Sequence, residues 1–272
     1  MIKRTGIIIP AYNEYNRLET EKFSNFLNKN NNYYLCFVND GSTDKTSEML
    51  HQLKETNEEK IYVIDLEENQ GKATAVQTGA NFLNSLSFID NVAFLDADLS
   101  TSLEELDNLT QKLNKHNNLT MVFGSRKAEK SDGIERSFVR NLLSNFVGFF
   151  IQFILQLPIK DTQCGAKVFK KEIIGNIYNK KFISRWLFDI EIFLRLKKQV
   201  GVKNLLNSIS EEPLDNWVEV EGSKITLKDS ILIPMNLMLI WMNYFSLKTT
   251  KKPMEAVTEP TFIPQPQMSM AK

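Results

Sequence analysis

The stretch that decides the fold is VAFLDADLST, residues 92–101, which runs from an apolar segment into two acidic residues. Its first four residues are typical of a strand that is buried on both faces, as in a parallel sheet. Asp96 and Asp98 follow where that strand ends, and their i, i+2 spacing directs both carboxylates to the same side. Open α/β sheets bind ligands outside the carboxyl ends of their strands, and paired carboxylates there can hold a divalent hard cation. The alternative is structural, with Asp98 or Ser100 capping a helix over residues 103–116.

Three further strand ends carry matching chemistry. Strands are predicted at residues 4–9, 34–38, 61–66, 92–95 and 120–123, with helical patterns between them. Strands that alternate with helices indicate βαβ units and a mostly parallel sheet, so the predicted fold class is α/β. The carboxyl ends of parallel strands meet at one edge, which would gather these residues: Asn13, Glu14, Asp40, Asn69, Lys72, Asp96 and Asp98. Carboxylates and a lysine on one edge describe a site for a nucleotide with a metal-bound diphosphate.

Composition and missing motifs narrow the function classes. The chain has 272 residues with 33 basic and 33 acidic side chains, and this zero net charge gives no support for a nucleic-acid partner. Neither the GxGxxG nor the GxxxxGK[ST] motif occurs, so a metal and side chains, rather than a glycine cradle, would hold a diphosphate. With two cysteines and two histidines, the sequence suggests neither a disulfide framework nor a His-centred metal site.

The alternation of strands and helices stops after residue 123. The pattern then predicts a loop, a long helix over 136–157, a short strand at 166–171, a helix over 188–198, and strands at 202–209 and 214–220. An amphipathic segment follows, and the proline-containing end of the chain is typical of disorder. The predicted organisation is one domain over residues 1–224, an amphipathic helical segment over 225–247 that can associate with a membrane, and a disordered tail over 248–272.

Two apolar segments raise the question of a membrane. Residues 146–159 and 231–245 are both shorter than the roughly 20 apolar residues that a spanning helix needs. They are either buried core helices or helices that lie in the bilayer interface. Because the first strand follows Met1 almost at once, we expect no signal peptide and a cytoplasmic protein, peripheral at the inner face of the membrane.

Seven motifs, in chain order, resemble those of family 2 glycosyltransferases with the Rossmann-like GT-A fold: IIIPAYNE, VNDGSTD, NQGKATAVQTGA, FLDADLS, GSR, DTQCGAKVF and RWLFDIE. The resemblance covers residues 4–224 and extends to the polyprenyl-phosphate branch, that of the dolichyl-phosphate β-glucosyltransferases. It implies a nucleotide pocket lined by Pro10, Tyr12 and Glu14, with Asp40 on the base and Lys72 beside the nucleotide. It also implies that Asp96 and Asp98 hold Mg²⁺ or Mn²⁺ and the diphosphate of a nucleotide sugar, for which UDP-glucose is expected. Mannose-synthase relatives place a metal-contacting glutamine where this chain has Ser100, so direct ligation by that shorter side chain is not expected.

The same resemblance implies an acceptor site. Arg126, Arg140 and Ser144 would bind the acceptor phosphate, to which an arginine fork can bond in a bidentate way. Asp189 and Glu191 lie where hydroxyl-acceptor relatives keep a base, and here they would orient the sugar or an acceptor loop. The alternative is a structural role, in which both carboxylates are favoured by the helix dipole at a helix N-terminus. Gln163 and Trp186 would contact the sugar, and the expected catalytic set is Asp98, Asp189, Arg126 and Arg140.

Three functions follow as hypotheses. The first is inverting transfer of a hexose, glucose from UDP-glucose, to a polyprenyl phosphate such as dolichyl phosphate at the membrane surface. The second keeps the same donor but uses a hydroxyl acceptor on a glycan, which requires a general base. The third is a nucleotide-binding module without catalysis.

Overall fold

The computed structural model describes residues 2–126, 138–218 and 227–246, with side chains described except at 138–146, 227–231 and 246. The strands are β1 (Thr5–Ala11), β2 (Tyr33–Asn39), β3 (Ile61–Asp65), β4 (Asn91–Leu95), β5 (Met121–Ser125), β6 (Ala166–Lys170) and β7 (Ile209–Pro213). The α-helices are α1 (Thr20–Lys29), α2 (Thr46–Glu55), α3 (Lys72–Ser85), α4 (Leu103–Lys115), α5 (Phe138–Leu155), α6 (Ile174–Tyr178), α7 (Phe188–Ser208) and α8 (Leu227–Ser246).

Within the described ranges, one sheet contains all of these strands, in the order β3-β2-β1-β4-β6-β5-β7. The pairs β1–β2, β2–β3, β1–β4 and β5–β7 are parallel, and β6 runs antiparallel between β4 and β5. The prediction of an α/β fold with a mostly parallel sheet is therefore confirmed. The neighbouring parallel strands β3, β2, β1 and β4 bring their carboxyl ends, and the polar residues that follow them, to one edge of the sheet.

Helices cover both faces of the sheet. Residues of α1, α2 and α4 pack on one face in a cluster that includes Ile7 and Ile9, whereas α3, α5, α6, α7 and α8 pack on the other with Ile8. Successive side chains of a strand point to opposite faces, so the apolar run of β1 supplies both clusters. This double burial explains why the central strands read as continuous apolar segments rather than as alternating ones.

Two details of the sequence prediction are wrong. Residues 202–208, predicted as the start of a strand, continue helix α7 beyond a kink at Gly201, which has φ 77°. The apolar spacing of Val202, Leu205 and Leu206 fits a helical period, and the strand β7 begins only at Ile209. The predicted strand at 214–220 is reduced, in the described residues up to 218, to an isolated bridge between Trp217 and Thr101.

The structure also decides against the capping alternative for Asp98 and Ser100. The N-cap of α4 is Ser102, whose Oγ accepts a hydrogen bond from the Glu105 amide at 3.1 Å. Because Ser102 satisfies this helix end, the carboxylate of Asp98 is not needed for capping.

Each of the two apolar segments forms a helix with a buried side and an exposed apolar side. In α5, Ile151, Ile154 and Leu155 are buried in the core, while Phe149 is 69% exposed. In α8, Leu237 and Ile240 are buried, while five large apolar residues are exposed: Met235, Met238, Leu239, Trp241 and Met242. Among the described residues, no helix has both the length and the apolar character needed to cross a bilayer.

Candidate functional site

The two acidic residues occupy a tight turn after β4. The Leu99 amide donates to the Asp96 carbonyl at 3.2 Å, and the Ser100 amide donates to Oδ1 of Asp98 at 3.1 Å. Leu99 adopts φ 52°, a left-handed conformation that is costly for a side chain of its type. Backbone strain of this kind concentrates at functional sites. The turn leaves the carboxylates of Asp96 and Asp98 partly exposed at the edge of the sheet.

Lys72 and Gly165 fix the carboxylate of Asp96 from two sides. Nζ of Lys72, the first residue of α3, lies 2.5 Å from Oδ1 of Asp96. Burial alone would lower the pKa of Lys72, but the charges of Asp96 and Asp189 outweigh it and raise that pKa. On the other side, a Cβ at Gly165 would lie 2.1 Å from Oδ2 of Asp96. Only glycine permits this approach, which gives the DTQCG motif a physical reason.

A second carboxylate-cation pair lies at the end of β1. Glu14 is buried and forms a bidentate ion pair with Arg17, with Nε to Oε2 at 2.8 Å and Nη2 to Oε1 at 3.0 Å. The pKa of Arg17 is raised by its hydrogen bond to Glu14 and also by the charge of Asp98. Arg17, held by Glu14, therefore lies at the same edge of the sheet as the acidic turn, where the charge of Asp98 acts on it.

Asp40, at the end of β2, holds the loop that follows β3. Its Oδ1 and Oδ2 accept hydrogen bonds from the amides of Gln70 and Gly71, each at 2.8 Å. Burial raises the pKa of this carboxyl, and the two amides oppose the shift. Arg185 fastens the same loop from outside, through Nε to the Gln70 carbonyl at 3.1 Å and Nη2 to the Asn69 carbonyl at 2.8 Å. The loop before Lys72 is thus held between Asp40 and Arg185.

A buried ion pair lies beneath the acidic turn. Lys167, on β6, has no exposed surface, and its Nζ lies 2.7 Å from Oδ1 of Asp189 at the start of α7. The same Nζ donates to the Cys164 carbonyl at 2.6 Å, next to Gly165. Nζ atoms of Lys72 and Lys167 lie 5.3 Å and 5.2 Å from the centroid of the Phe94 ring. Burial raises the pKa of Asp189, while the charges of Lys167 and Lys72 oppose that shift.

Glu191 faces a different set of partners from Asp189. Residues two apart on a helix point about 200° apart, because each advances by about 100°. Its Oε1 accepts from the Ile183 and Ser184 amides at 2.8 Å and 3.3 Å, and its Oε2 from the Tyr244 hydroxyl at 3.1 Å. Because Glu191 has no exposed surface, a sugar contact through its carboxylate would require this part of the protein to rearrange.

The acceptor residues are described only in part. Arg126 forms a bidentate ion pair with Asp161, with Nε to Oδ2 at 2.6 Å and Nη2 to Oδ1 at 2.8 Å. Burial by itself would raise the pKa of Asp161, but the contacts with Arg126 outweigh it and lower that pKa. Arg140 and Ser144 belong to helix α5, and their side chains lie outside the described residues.

The remaining predicted contacts lie around these groups. Pro10 and Tyr12 are partly exposed at the carboxyl end of β1. Gln163 lies in the DTQCG turn, and its backbone amide donates a hydrogen bond to Oδ1 of Asp161 at 3.1 Å. Trp186 is partly exposed, and its amide donates to Oγ of Ser184 at 3.3 Å. The Cys164 thiol is buried, and burial raises its pKa, which argues against a nucleophilic role.

The chemistry of the turn fits a divalent cation. Asp98 presents a partly exposed carboxylate, which is a hard oxygen ligand, and Asp96 in the same turn supplies a second carboxylate. In the described residues, no group of three or more His, Cys, Asp and Glu side chains forms a ready metal cage. Mg²⁺ and similar ions are commonly held by one or two carboxylates together with substrate phosphates and water. This donor set therefore fits a cation shared with a diphosphate.

Sequence reasoning missed four residues of this region: Arg17, Lys167, Arg185 and Tyr244. A lysine inside the apolar strand sequence AKVFK was a usable signal for Lys167, since a buried lysine requires a counter-ion. Arg17 stands three residues after Glu14, a helical ion-pair spacing. Arg185 and Tyr244 carried no local signal, because their partners lie 115 and 53 residues away in the chain.

Comparisons with known proteins show the family to which this chain belongs. Residues 6–178 match the model of the family described as Glycosyl transferase family 2. A dolichyl-phosphate β-glucosyltransferase of Dictyostelium discoideum is 31% identical over 253 residues, covering 88% of this chain and 74% of that protein. The enzyme of the same name from Drosophila melanogaster is 32% identical over 254 residues, covering 88% of this chain and 74% of the Drosophila protein.

The fold also has solved counterparts. The glucosyl-3-phosphoglycerate synthase of Mycobacterium tuberculosis, solved with Mn²⁺, UDP-glucose and phosphoglyceric acid, superimposes with a TM-score of 0.63. That match covers 88% of this chain and 80% of the other at 17% identity, so it shows a shared fold. Together with the family match over most of the sheet, it confirms the GT-A-like architecture. The chain belongs to glycosyl transferase family 2 and is a glycosyltransferase.

Proposed function

We propose that this enzyme transfers glucose from UDP-glucose to the phosphate of a polyprenyl lipid of the dolichyl-phosphate type, at a membrane surface and with inversion. The observation that carries the proposal is the acidic turn of Asp96 and Asp98 at the edge of the sheet, where Lys72 pairs with Asp96. The buried pair of Lys167 and Asp189 lies beneath it. The names of the relatives in Dictyostelium and Drosophila support the same acceptor and sugar.

The donor side of the proposal rests on charge. A divalent cation at Asp98, when bound, supplies electrostatic stabilisation to a departing diphosphate. Lys72 and Arg17 add two fixed positive charges at the same edge, held by Asp96 and Glu14. Cations held in place beforehand need no reorganisation during the reaction, which makes their contribution large. Leaving-group stabilisation is therefore the chief task that we assign to this cluster.

The acceptor side rests on the state of Asp189. A hydroxyl acceptor needs a base within about 3 Å of its proton. The Asp189 side chain is buried and bound to the Lys167 ammonium ion, which suits a counter-ion better than a base. A phosphate monoester has a second pKa of about 6 and is already an anionic nucleophile at neutral pH. One in-line displacement by such an oxygen inverts the anomeric centre without a protein base, which favours a phosphate acceptor.

Arg126 is proposed to meet that phosphate. Arg126 follows β5 at its carboxyl end, and its side chain is 39% exposed, with Nε and Nη2 held by Asp161. The ion pair fixes the plane of the fork, and fixed arginine forks recognise phosphate oxygens well. Arg140 and Ser144 remain proposed acceptor contacts on the basis of the family resemblance.

The exposed faces of α5 and α8 support a lipid surface as the place of reaction. Phe149 and Phe153 on α5 are 69% and 51% exposed, and Met238 and Met242 on α8 are 59% and 49% exposed. The two helices pack against each other, so their apolar faces can form one continuous surface. Aromatic, leucine and methionine side chains suit the bilayer interface. A lipid tail would reach this surface while its phosphate reaches Arg126.

The decisive experiment is a transfer assay with labelled UDP-glucose, Mn²⁺ and either dolichyl phosphate or the free polyprenol in vesicles. We expect a glucosylated lipid phosphate and no transfer to the alcohol. Transfer to the polyprenol or to a glycan hydroxyl, with none to the phosphate, would refute the proposal. A thermal-shift panel of UDP-glucose, UDP-galactose and GDP-mannose, with and without Mn²⁺, tests the donor separately.

Matched arginine variants sharpen the acceptor test. Arg126→Gln is expected to reduce transfer to dolichyl phosphate at least tenfold while UDP-glucose affinity stays near that of the wild type. Arg4→Gln removes the same charge before β1, beside Phe88, and is expected to keep full activity. Equal activity of the two variants would remove Arg126 from the acceptor site.

A further inference from the structure

Helix α8 supplies one hydroxyl group to a polar network on α7. The Tyr244 hydroxyl donates to Oε2 of Glu191 at 3.1 Å and accepts from Nε of Arg195 at 3.1 Å. Glu191 has no exposed surface, and its carboxylate also lies 3.6 Å from Nη2 of Arg195. Tyr244 therefore completes a buried polar network on α7 that is otherwise built from the catalytic domain alone.

That network holds the segment of residues 181–185. Oε1 of Glu191 accepts from the amides of Ile183 and Ser184. Arg195 donates through Nη1 to the Lys180 carbonyl at 2.7 Å and through Nη2 to the Lys181 carbonyl at 3.0 Å. Its guanidinium carbon also lies 4.0 Å from the ring centroid of Phe182. Every residue of this segment up to Ser184 is thus tied to Glu191 or Arg195.

The next residue, Arg185, carries the constraint to the donor site. It binds the carbonyls of Asn69 and Gln70, and its own carbonyl accepts from the Ala73 amide at 3.1 Å. A Cβ at Gly71 would lie 2.5 Å from Nε of Arg185, so the two segments are in close contact. The loop 69–71 leads directly into Lys72, the partner of Asp96.

We propose that Tyr244 is a positioning residue of the donor site, which acts through Glu191 and Arg195 on residues 181–185 and so on the loop 69–71. The proposal rests on the donor site described above and adds that α8 is part of its support, besides any contact with lipid. Removal of the hydroxyl leaves the Glu191 carboxylate and the Arg195 fork one partner short in a buried place. The loop beside Asp40 and Lys72 then loses part of its order.

The test compares Tyr244→Phe with Tyr62→Phe, which makes the same change on β3, where the ring packs against Phe82. Hydrogen exchange of the protein without nucleotide is followed in peptides that cover residues 66–76 and 179–190. We expect faster exchange in both peptides for Tyr244→Phe and wild-type exchange for Tyr62→Phe. Faster exchange confined to α8, or no change at all, would overturn the proposal.

A second readout uses calorimetric binding of UDP-glucose with Mn²⁺ and no lipid. Tyr244→Phe is expected to bind about fivefold more weakly, the lower end of typical coupling between distant sites. Arg185→Lys keeps the charge but loses the fork; it should weaken binding and accelerate exchange at 66–76 without altering exchange in α8. If the wild type fails to bind UDP-glucose, the proposed donor is wrong, while the exchange experiment still decides the role of Tyr244.

Discussion

Lys167 on β6 and Asp189 on α7 form an ion pair of 2.7 Å in which the lysine side chain has no exposed surface. Two charges in the core are costly to desolvate, and each needs the other. The pair joins the strand that carries the DTQCG turn to the helix that begins in the RWLFDIE motif. Its position beneath Asp96 and Lys72 connects the stability of the fold to the electrostatics of the site.

We expect Lys167→Met and Asp189→Leu to destabilise the protein by about 3–5 kcal/mol each, because each leaves an uncompensated buried charge. The double variant should recover most of that loss, since both charges are gone. Urea unfolding of the wild type, the two single variants and the double variant measures the coupling energy as a double-mutant cycle. Additive single effects would show that the two side chains do not depend on each other.

Asp98→Asn should weaken Mn²⁺-dependent binding of UDP on the order of tenfold or more, because the half-exposed carboxylate is the best available cation ligand of the turn. UDP titrations with and without Mn²⁺ measure this difference. Glu104→Gln removes a carboxylate from the exposed first turn of α4 and serves as the control. If Mn²⁺ still increases the affinity of Asp98→Asn for UDP as much as that of the wild type, the cation does not bind at this turn.

Gly165→Ala should lower the affinity for UDP-glucose by about tenfold or more. A Cβ at this position would lie 2.1 Å from Oδ2 of Asp96 and displace that carboxylate. Gly175→Ala is the matched change, since its Cβ would meet nothing nearer than 4.0 Å. Thermal shift with UDP-glucose and Mn²⁺ reports both variants. Wild-type binding by Gly165→Ala would mean that the Asp96 carboxylate can move without consequence.

The ion pair of Asp161 and Arg126 predicts a pH dependence. The pKa of Asp161 is lowered in the folded protein, whereas the pKa of an unfolded aspartate is about 3.9. The resulting stabilisation is fully present above the unfolded pKa and is lost as the pH falls through the lower, folded value. The difference in unfolding free energy between wild type and Asp161→Asn should therefore stay constant from about pH 7 to 5 and shrink below about pH 4. A constant difference down to about pH 3 would contradict the lowered pKa.

The sequence by itself determined the class of the fold and the edge where the site lies. Apolar strands such as residues 92–95 alternate with helical segments, and the side-chain period of each fixes which face is buried. Parallel strands must end on one side, so the polar turns at Glu14, Asp40, Lys72 and Asp98 were predictable as neighbours. This inference needs only local patterns and the direction of the chain.

The tertiary structure decided which charges are partners. Lys72 binds Asp96, Lys167 binds Asp189, and Arg126 binds Asp161, across 24, 22 and 35 positions of the chain. It also turned Glu191 away from Asp189 and towards Tyr244 on the last described helix. Such pairings depend on how helices and strands pack, because an ion pair leaves no periodic trace in the sequence. The location of this site follows from local sequence, and its electrostatics follow from packing.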